Sequence, residues 1–173
     1  GTPSEQFPRL VRGDIDMFIG NCDSVTLPAS TQARVIDEVE PVFFVRKGHP
    51  LALQPRVELR DLRPWKIAHV RLTTPFAAWY SSAAGVGELH TGFQCDDFEL
   101  LAETVETSDM VSYASPQILA RLLKRYAIAV LDIPGIDFRH HIHCAQPAGR
   151  ALSRPGQKVL QLIEAAFGTA TAR

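Results

Sequence analysis

Apolar residues fall along this chain in two rhythms. In residues 2–12, Phe7, Leu10 and Val11 recur at helical spacing behind Thr2-Pro3-Ser4-Glu5. That lead reads as a Thr-x-x-Glu capping box with proline at the first helical position. Gly13 is placed to end the helix in the left-handed conformation. Ile15, Met17, Phe18 and Ile19 follow as a run too short for a helix, read as a central parallel strand over about 15–19. Asp16 in that run is read as structural, bonding to backbone amides beside the turn. Residues 21–34 are polar, contain Pro28, and read as a loop. Val35 to Val45 is a second strand region, apolar from Pro41 onward.

The alternation then becomes regular. A strand from Lys66 to Arg71 leads into Thr73-Thr74-Pro75, where threonine caps a helix to about Ala84. Phe93 to Cys95 is a short strand. Asp96 or Asp97 caps a helix with Phe98, Leu101, Ala102 and Val105 on one face. Met110 to Ala114 is a strand, and Ser115-Pro116 opens a helix with Ile118, Leu119, Leu122 and Leu123 inward. Strands at Ile128 to Ile133 and His140 to Ala145 follow. Ser153 caps a last helix with Val159, Leu160, Ile163 and Phe167 on its apolar face. Strands alternating with helices predict an α/β class with mainly parallel sheet. The region 35–45 interrupts that rhythm and reads as a connector between two lobes.

Composition adds limits. The 173 residues are 46% hydrophobic and 21% charged, with formal net charge −1. This is an ordinary globular composition, long enough for a core. It shows no basic patch of the kind that phosphate contacts require, so nucleic-acid binding by this stretch alone is not expected. No apolar run has the length of a membrane span. Cys22, Cys95 and Cys144 are odd in number, widely spaced and without a CxxC pair, which points to reduced thiols and a cytoplasmic setting.

Leu10-Val-Arg-Gly-Asp-Ile-Asp-Met-Phe-Ile-Gly20 resembles the L-x-x-G-x-x-D-x-x-I-G segment of the effector-binding domain of LysR-type transcriptional regulators. Val42-Phe-Phe-Val-Arg-Lys-Gly-His-Pro-Leu51 and Leu59-Arg-Asp-Leu-Arg-Pro-Trp65 resemble that family's next signature. Leu101 to Pro116 is similar to its V-x-x-G-x-G-x-x-x-x-P segment, but Thr107 and Asp109 stand near the usual glycines. The resemblance implies two Rossmann-like lobes of the periplasmic-binding-protein type, joined by crossover strands, with an effector in the cleft between them. On that reading residues 1–45 are the remainder of an incomplete first lobe, 46–145 the second lobe with the return crossover strand, and 146–173 a C-terminal helix returning to the first lobe. It implies a homodimer or tetramer, no cofactor, no enzymatic activity, and DNA contact only through a winged helix-turn-helix absent from this sequence. A free-standing solute-binding protein of the same architecture, or a small α/β enzyme, are the alternatives.

Helix N-termini favour anions through unsatisfied amides and the positive dipole end. The effector is therefore expected to carry a carboxylate or similar group, held by Thr2, Ser4, Thr73 and Thr74. Asn21, Cys22 and Asp23, with Thr107, Ser108 and Asp109, would complete the walls. Three other constellations are weaker. His141 and His143 share a strand face and could begin a zinc site, but further ligands are not apparent nearby. Cys22 beside Asp23 could suggest a nucleophile, without a triad to support it. Gly85-Val-Gly87-Glu-Leu-His-Thr-Gly92 looks like a phosphate loop but follows a helix and lacks Lys-Ser/Thr. The neighbouring Trp79 and Tyr80 read as core or interface rather than as a ligand platform.

Overall fold

A computed structural model describes residues 2–168. The chain divides into two compact units. One holds the residues up to Val39 together with those from His140 onward; the other is Glu40–Arg139. The boundaries expected from sequence, at 45/46 and 145/146, lie a few residues further along.

The first unit contains α1 (Pro3–Arg12), β1 (Phe18–Gly20), β2 (Thr31–Val39), β8 (His140–Pro147) and α5 (Arg154–Gly168). Its sheet order is β1-β8-β2, antiparallel at both pairings. Helix α1 ends as expected at Gly13, whose φ of 82° is left-handed. Phe7 and Leu10 are buried against Ala145 and Cys22, but Val11 is exposed. Strand β1 is a three-residue edge strand, not a central parallel one. Residues 13–16 are spent on the turn, with Asp16 exposed in the bend. Strand β2 begins inside the stretch that reads as a loop. In its sequence TQARVIDEV, Gln32, Arg34, Val35 and Glu38 are exposed and only Thr31 and Val39 are buried, so the start of the strand shows no run of apolar residues. In α5, Ser153 Oγ accepts from the Gly156 amide at 3.2 Å. Leu160 is buried, Val159 is exposed, and the side chain of Phe167 lies outside the described residues.

The second unit contains β3 (Val42–Arg46), β4 (Ile67–His69), α2 (Thr74–Ala84), β5 (Thr91–Gln94), α3 (Phe98–Glu106), β6 (Ser112–Ala114), α4 (Pro116–Leu122) and β7 (Ile128–Val130). Strands β4 and β5 pair in parallel, and a parallel bridge from Ile67 to Val111 joins β4 to the start of β6. Strand β3 lies antiparallel between β6 and β7. The four strands that helices connect therefore point the same way, as strands joined by helical crossover connections do. The expectation of a mainly parallel sheet fails at β3 and β8. Each is the first strand after the chain passes from one unit to the other, and each runs against its neighbours. Phe43, Val45, Phe76, Tyr80 and Tyr113 form one buried cluster, and Phe44, Leu101, Val105, Leu119 and Ile128 another. Leu123, expected inward, follows the end of α4 and is exposed.

Candidate functional site

The ten residues singled out from sequence divide evenly between the two units, and their surroundings differ.

Because β4, β5 and β6 are co-directional, the helices that follow them all start at one edge of the second unit's sheet. This is the carboxyl edge, where ligands bind in open α/β sheets. Their caps are Thr73, Asp97 and Ser115. Helix α3 carries acid at its cap, Asp97, and in its first turn, Glu99. Helix α4 spans only seven residues. Helix α2 has eleven residues and no acidic group in its first turn. Its cap, Thr73, accepts the Phe76 amide on Oγ1 at 3.4 Å, and Pro75 removes one amide from the turn. Thr73 is half-buried and Thr74 exposed. The loop leading to them is held by His69, which is 2% exposed. Its Nδ1 lies 2.6 Å from the Val70 carbonyl, which only accepts, so Nδ1 donates there. In the neutral ring, Nε2 then accepts from the Thr91 hydroxyl at 2.9 Å.

The N-terminus of α1 is different. The Thr2 amide donates to Glu5 Oε2 at 2.8 Å, so the helix supplies its own carboxylate where an effector anion would sit. Ser4 is exposed. It lines an open groove of about 680 Å³ with Phe7, Pro8, Val11, Val25 and Pro28.

Asn21, Cys22 and Asp23 form a closed network with β8. Asn21 donates to Asp23 Oδ2 at 2.8 Å and to the His141 carbonyl at 3.1 Å, and accepts the Asp23 amide at 3.0 Å. Asp23 Oδ1 lies 3.0 Å from His141 Nδ1 and 3.7 Å from His143 Nε2. Burial would raise the Asp23 pKa, but hydrogen bonds from Asn21 and His141 and the charge of His141 outweigh it and hold the carboxyl below its usual range. Burial, with Asp23 adding to it, pushes the Cys22 thiol up to about 11. A thiol held protonated is a poor nucleophile, which counts against the catalytic reading of this pair. The imidazoles of His141 and His143 do share a face, with centroids 6.0 Å apart. The Cys22 amide donates to His143 Nδ1 at 3.3 Å, however, which places the proton of the neutral ring on Nε2, toward Asp23. That nitrogen then has no lone pair for a metal. Among the described residues no group of three or more His, Cys, Asp or Glu is arranged to hold a metal ion.

Thr107, Ser108 and Asp109 close the other end of α3. The Thr107 hydroxyl donates to the Glu103 carbonyl at 3.0 Å, and Ser108 Oγ to the Thr104 carbonyl at 2.7 Å. Asp109 is paired with Arg46 at 2.6 Å. A helix C-terminus and a carboxylate are both unfavourable to an anion. The glycine-rich stretch 85–92 starts at the C-cap of α2, with Gly85 at φ 65°, so it too stands at the negative end of a helix. Sequence reasoning missed the Asn21–Asp23–His141–His143 network, because the antiparallel pairing of β1 with β8 brings together segments about 120 residues apart.

Comparison with known proteins matches residues 1–168 to the family described as the LysR substrate binding domain. A curated relative, the SDS degradation transcriptional activation protein of a Pseudomonas species, is 26% identical over 159 residues. The match covers 90% of this chain and 52% of that protein, so the chain spans about half the length of this relative. HinK, a LysR family transcriptional regulator from Pseudomonas aeruginosa, superposes with a TM-score of 0.80 at 15% identity, covering 98% of this chain and 58% of HinK. The effector binding domain of QuiR, solved in complex with shikimate, gives 0.74 at 16% identity, covering 98% of this chain and 79% of that one. Two-unit architecture, segment order and family match agree: this chain belongs to the LysR substrate-binding domain family, the effector-binding part of LysR-type transcriptional regulators.

Proposed function

We propose that this domain senses a small anionic effector, a carboxylate in the first instance, and so controls transcription through a DNA-binding domain elsewhere in a dimeric full-length regulator. The effector's anionic group sits at the N-terminus of α2, on Thr73 and Thr74. One observation carries this reading. Of the helix starts at the carboxyl edge of the second unit's sheet, α2 is the long one without a carboxylate in its cap or first turn. Its first turn adds no negative charge to the positive end of the helix, whereas on α1 Glu5 already occupies the place where an anion would sit. The QuiR complex lends support, because shikimate carries a carboxylate. Thr2, Ser4, Asn21, Cys22, Asp23, Thr107, Ser108 and Asp109 are left out of the proposed anion seat for the reasons of charge and hydrogen bonding given above. A regulatory response requires that the effector favour one arrangement of the domain over another.

Isothermal calorimetry with shikimate and a panel of small carboxylates and phosphates tests the proposal. The expected result is saturable binding of at least one anion, weakened about tenfold or more in Thr73→Ala/Thr74→Ala, as loss of a hydrogen bond to a charged group implies. Heat no greater than that of dilution for every anion, or equal affinity in the double variant, refutes it.

A further inference from the structure

The last residues of the second unit, from Gly135 to Arg139, run outside any helix or strand and lead directly into β8 at His140. This strap is tied to α2 by side chains. Trp79, in the middle of α2, donates its indole N–H to Asp137 Oδ1 at 2.7 Å. Phe138 meets the ring of Phe76 edge-on, with centroids 5.3 Å apart, and that of Trp79 at 5.2 Å. Ile136 and Phe138 both pack on the buried cluster that contains Phe76 and Tyr80. At the strap's end Arg139 forms an ion pair with Glu40, the first residue of the unit. The two places where the chain passes between units are thereby joined.

Phe76 stands at both ends of this arrangement. Its amide is the one that Thr73 caps, and its fully buried ring touches Phe138. Trp79 lies six residues beyond the cap, about 9 Å along a helix that rises 1.5 Å per residue. Because the ring of Phe76 is enclosed by Tyr113, Trp79, Tyr80 and Phe138, it has no room to shift alone. A displacement of the first turn of α2 is therefore passed to the strap.

We propose that Phe76, Trp79 and Asp137 form a latch that couples the first turn of α2 to the strap 135–139 and to the start of β8. As a route for the effector's signal, the latch rests on the anion seat proposed above. Its existence is a property of the free protein and is tested there. Coupling between two sites is reciprocal, so each end must sense a change at the other.

Amide hydrogen exchange on the whole chain, without ligand, reads this directly. Thr73→Ala is expected to speed exchange about fivefold or more at residues 136–140, in the range of ordinary coupling energies. Trp79→Phe, which removes the N–H and keeps a smaller aromatic ring in its place, is expected to speed exchange at Phe76 and Ala77 by a similar factor. The double variant should show less than the product of the two effects, because both act through one connection. If either substitution alters exchange only in its own element, or if the effects simply multiply, the latch is overturned. Asp137→Ala, at an exposed side chain, repeats the test should Trp79→Phe fail to fold. Failure of every anion to bind in calorimetry would overturn the seat and leave the exchange result to judge the latch.

Discussion

His140 gives this domain a defined acid sensitivity. It is the first residue of β8, paired with Val39 of β2, and partly buried. Burial pushes its pKa down to about 4, with Asp23 opposing the fall and His141 adding to it. In an unfolded chain a histidine titrates near 6.5. As pH drops below that value the unfolded state takes up a proton that the folded state refuses, so stability falls with pH until the folded pKa is reached. At 1.36 kcal/mol per pKa unit, the loss from this residue is about 2 kcal/mol by pH 5 and roughly 3 kcal/mol by pH 4. His140→Gln removes the titration and makes any other cost independent of pH. Urea unfolding of parent and variant at steps between pH 7.5 and 4 measures the difference. The parent curve should fall toward the variant curve across the window from pH 6.5 to 4 by about the stated amounts. Two curves that stay parallel over that window would show that His140 is protonated equally in both states, and the argument from burial would be wrong.

Three further outcomes are expected. Asp23 holds its proton less tightly than an ordinary carboxyl, so it stabilises the fold above about pH 4 and loses that contribution as pH falls through its folded value. Asp23→Asn should accordingly be less stable than the parent at pH 7, and the gap should narrow in strong acid, as thermal melts at both pH values would show. Gly85→Ala places a methyl against the Arg63 guanidinium at a φ of 65°. It should cost more than about 1 kcal/mol from the left-handed backbone alone, and a melting temperature equal to the parent's would contradict this. Phe76→Ala empties a fully buried site stacked on Tyr113 at 4.3 Å, so denaturant unfolding should show a loss of about 3–5 kcal/mol; a loss under 1 kcal/mol would mean the cluster collapses around the gap.

The helix caps were legible because capping is local chemistry. Thr73, Asp97, Ser115 and Ser153 each satisfy amides two or three residues away, as their spacing predicts. Glycines at helix ends, such as Gly13 and Gly85, were readable for the same reason. The start of strand β2 was not, because Thr31-Gln-Ala-Arg34 offers one small apolar residue among polar ones, whereas Val35 to Val39 falls within the strand region read from the sequence. The candidate site was legible in part. Its residue types and the α2 cap could be named, but the claim of Glu5 on the α1 terminus and of Arg46 on Asp109 needed the folded chain.

By itself, the sequence determined which segments form helices, where they begin, and the family signature that places the chain among LysR substrate-binding domains. All of these depend on contacts or spacings within a few residues. The tertiary structure alone decided the direction of β3 and β8, the joining of Asn21 and Asp23 to His141 and His143, and the pairing of Asp109 with Arg46. Each is a pairing between distant segments, and distant pairings follow from sheet topology and from competition among charges, neither of which is encoded in local periodicity.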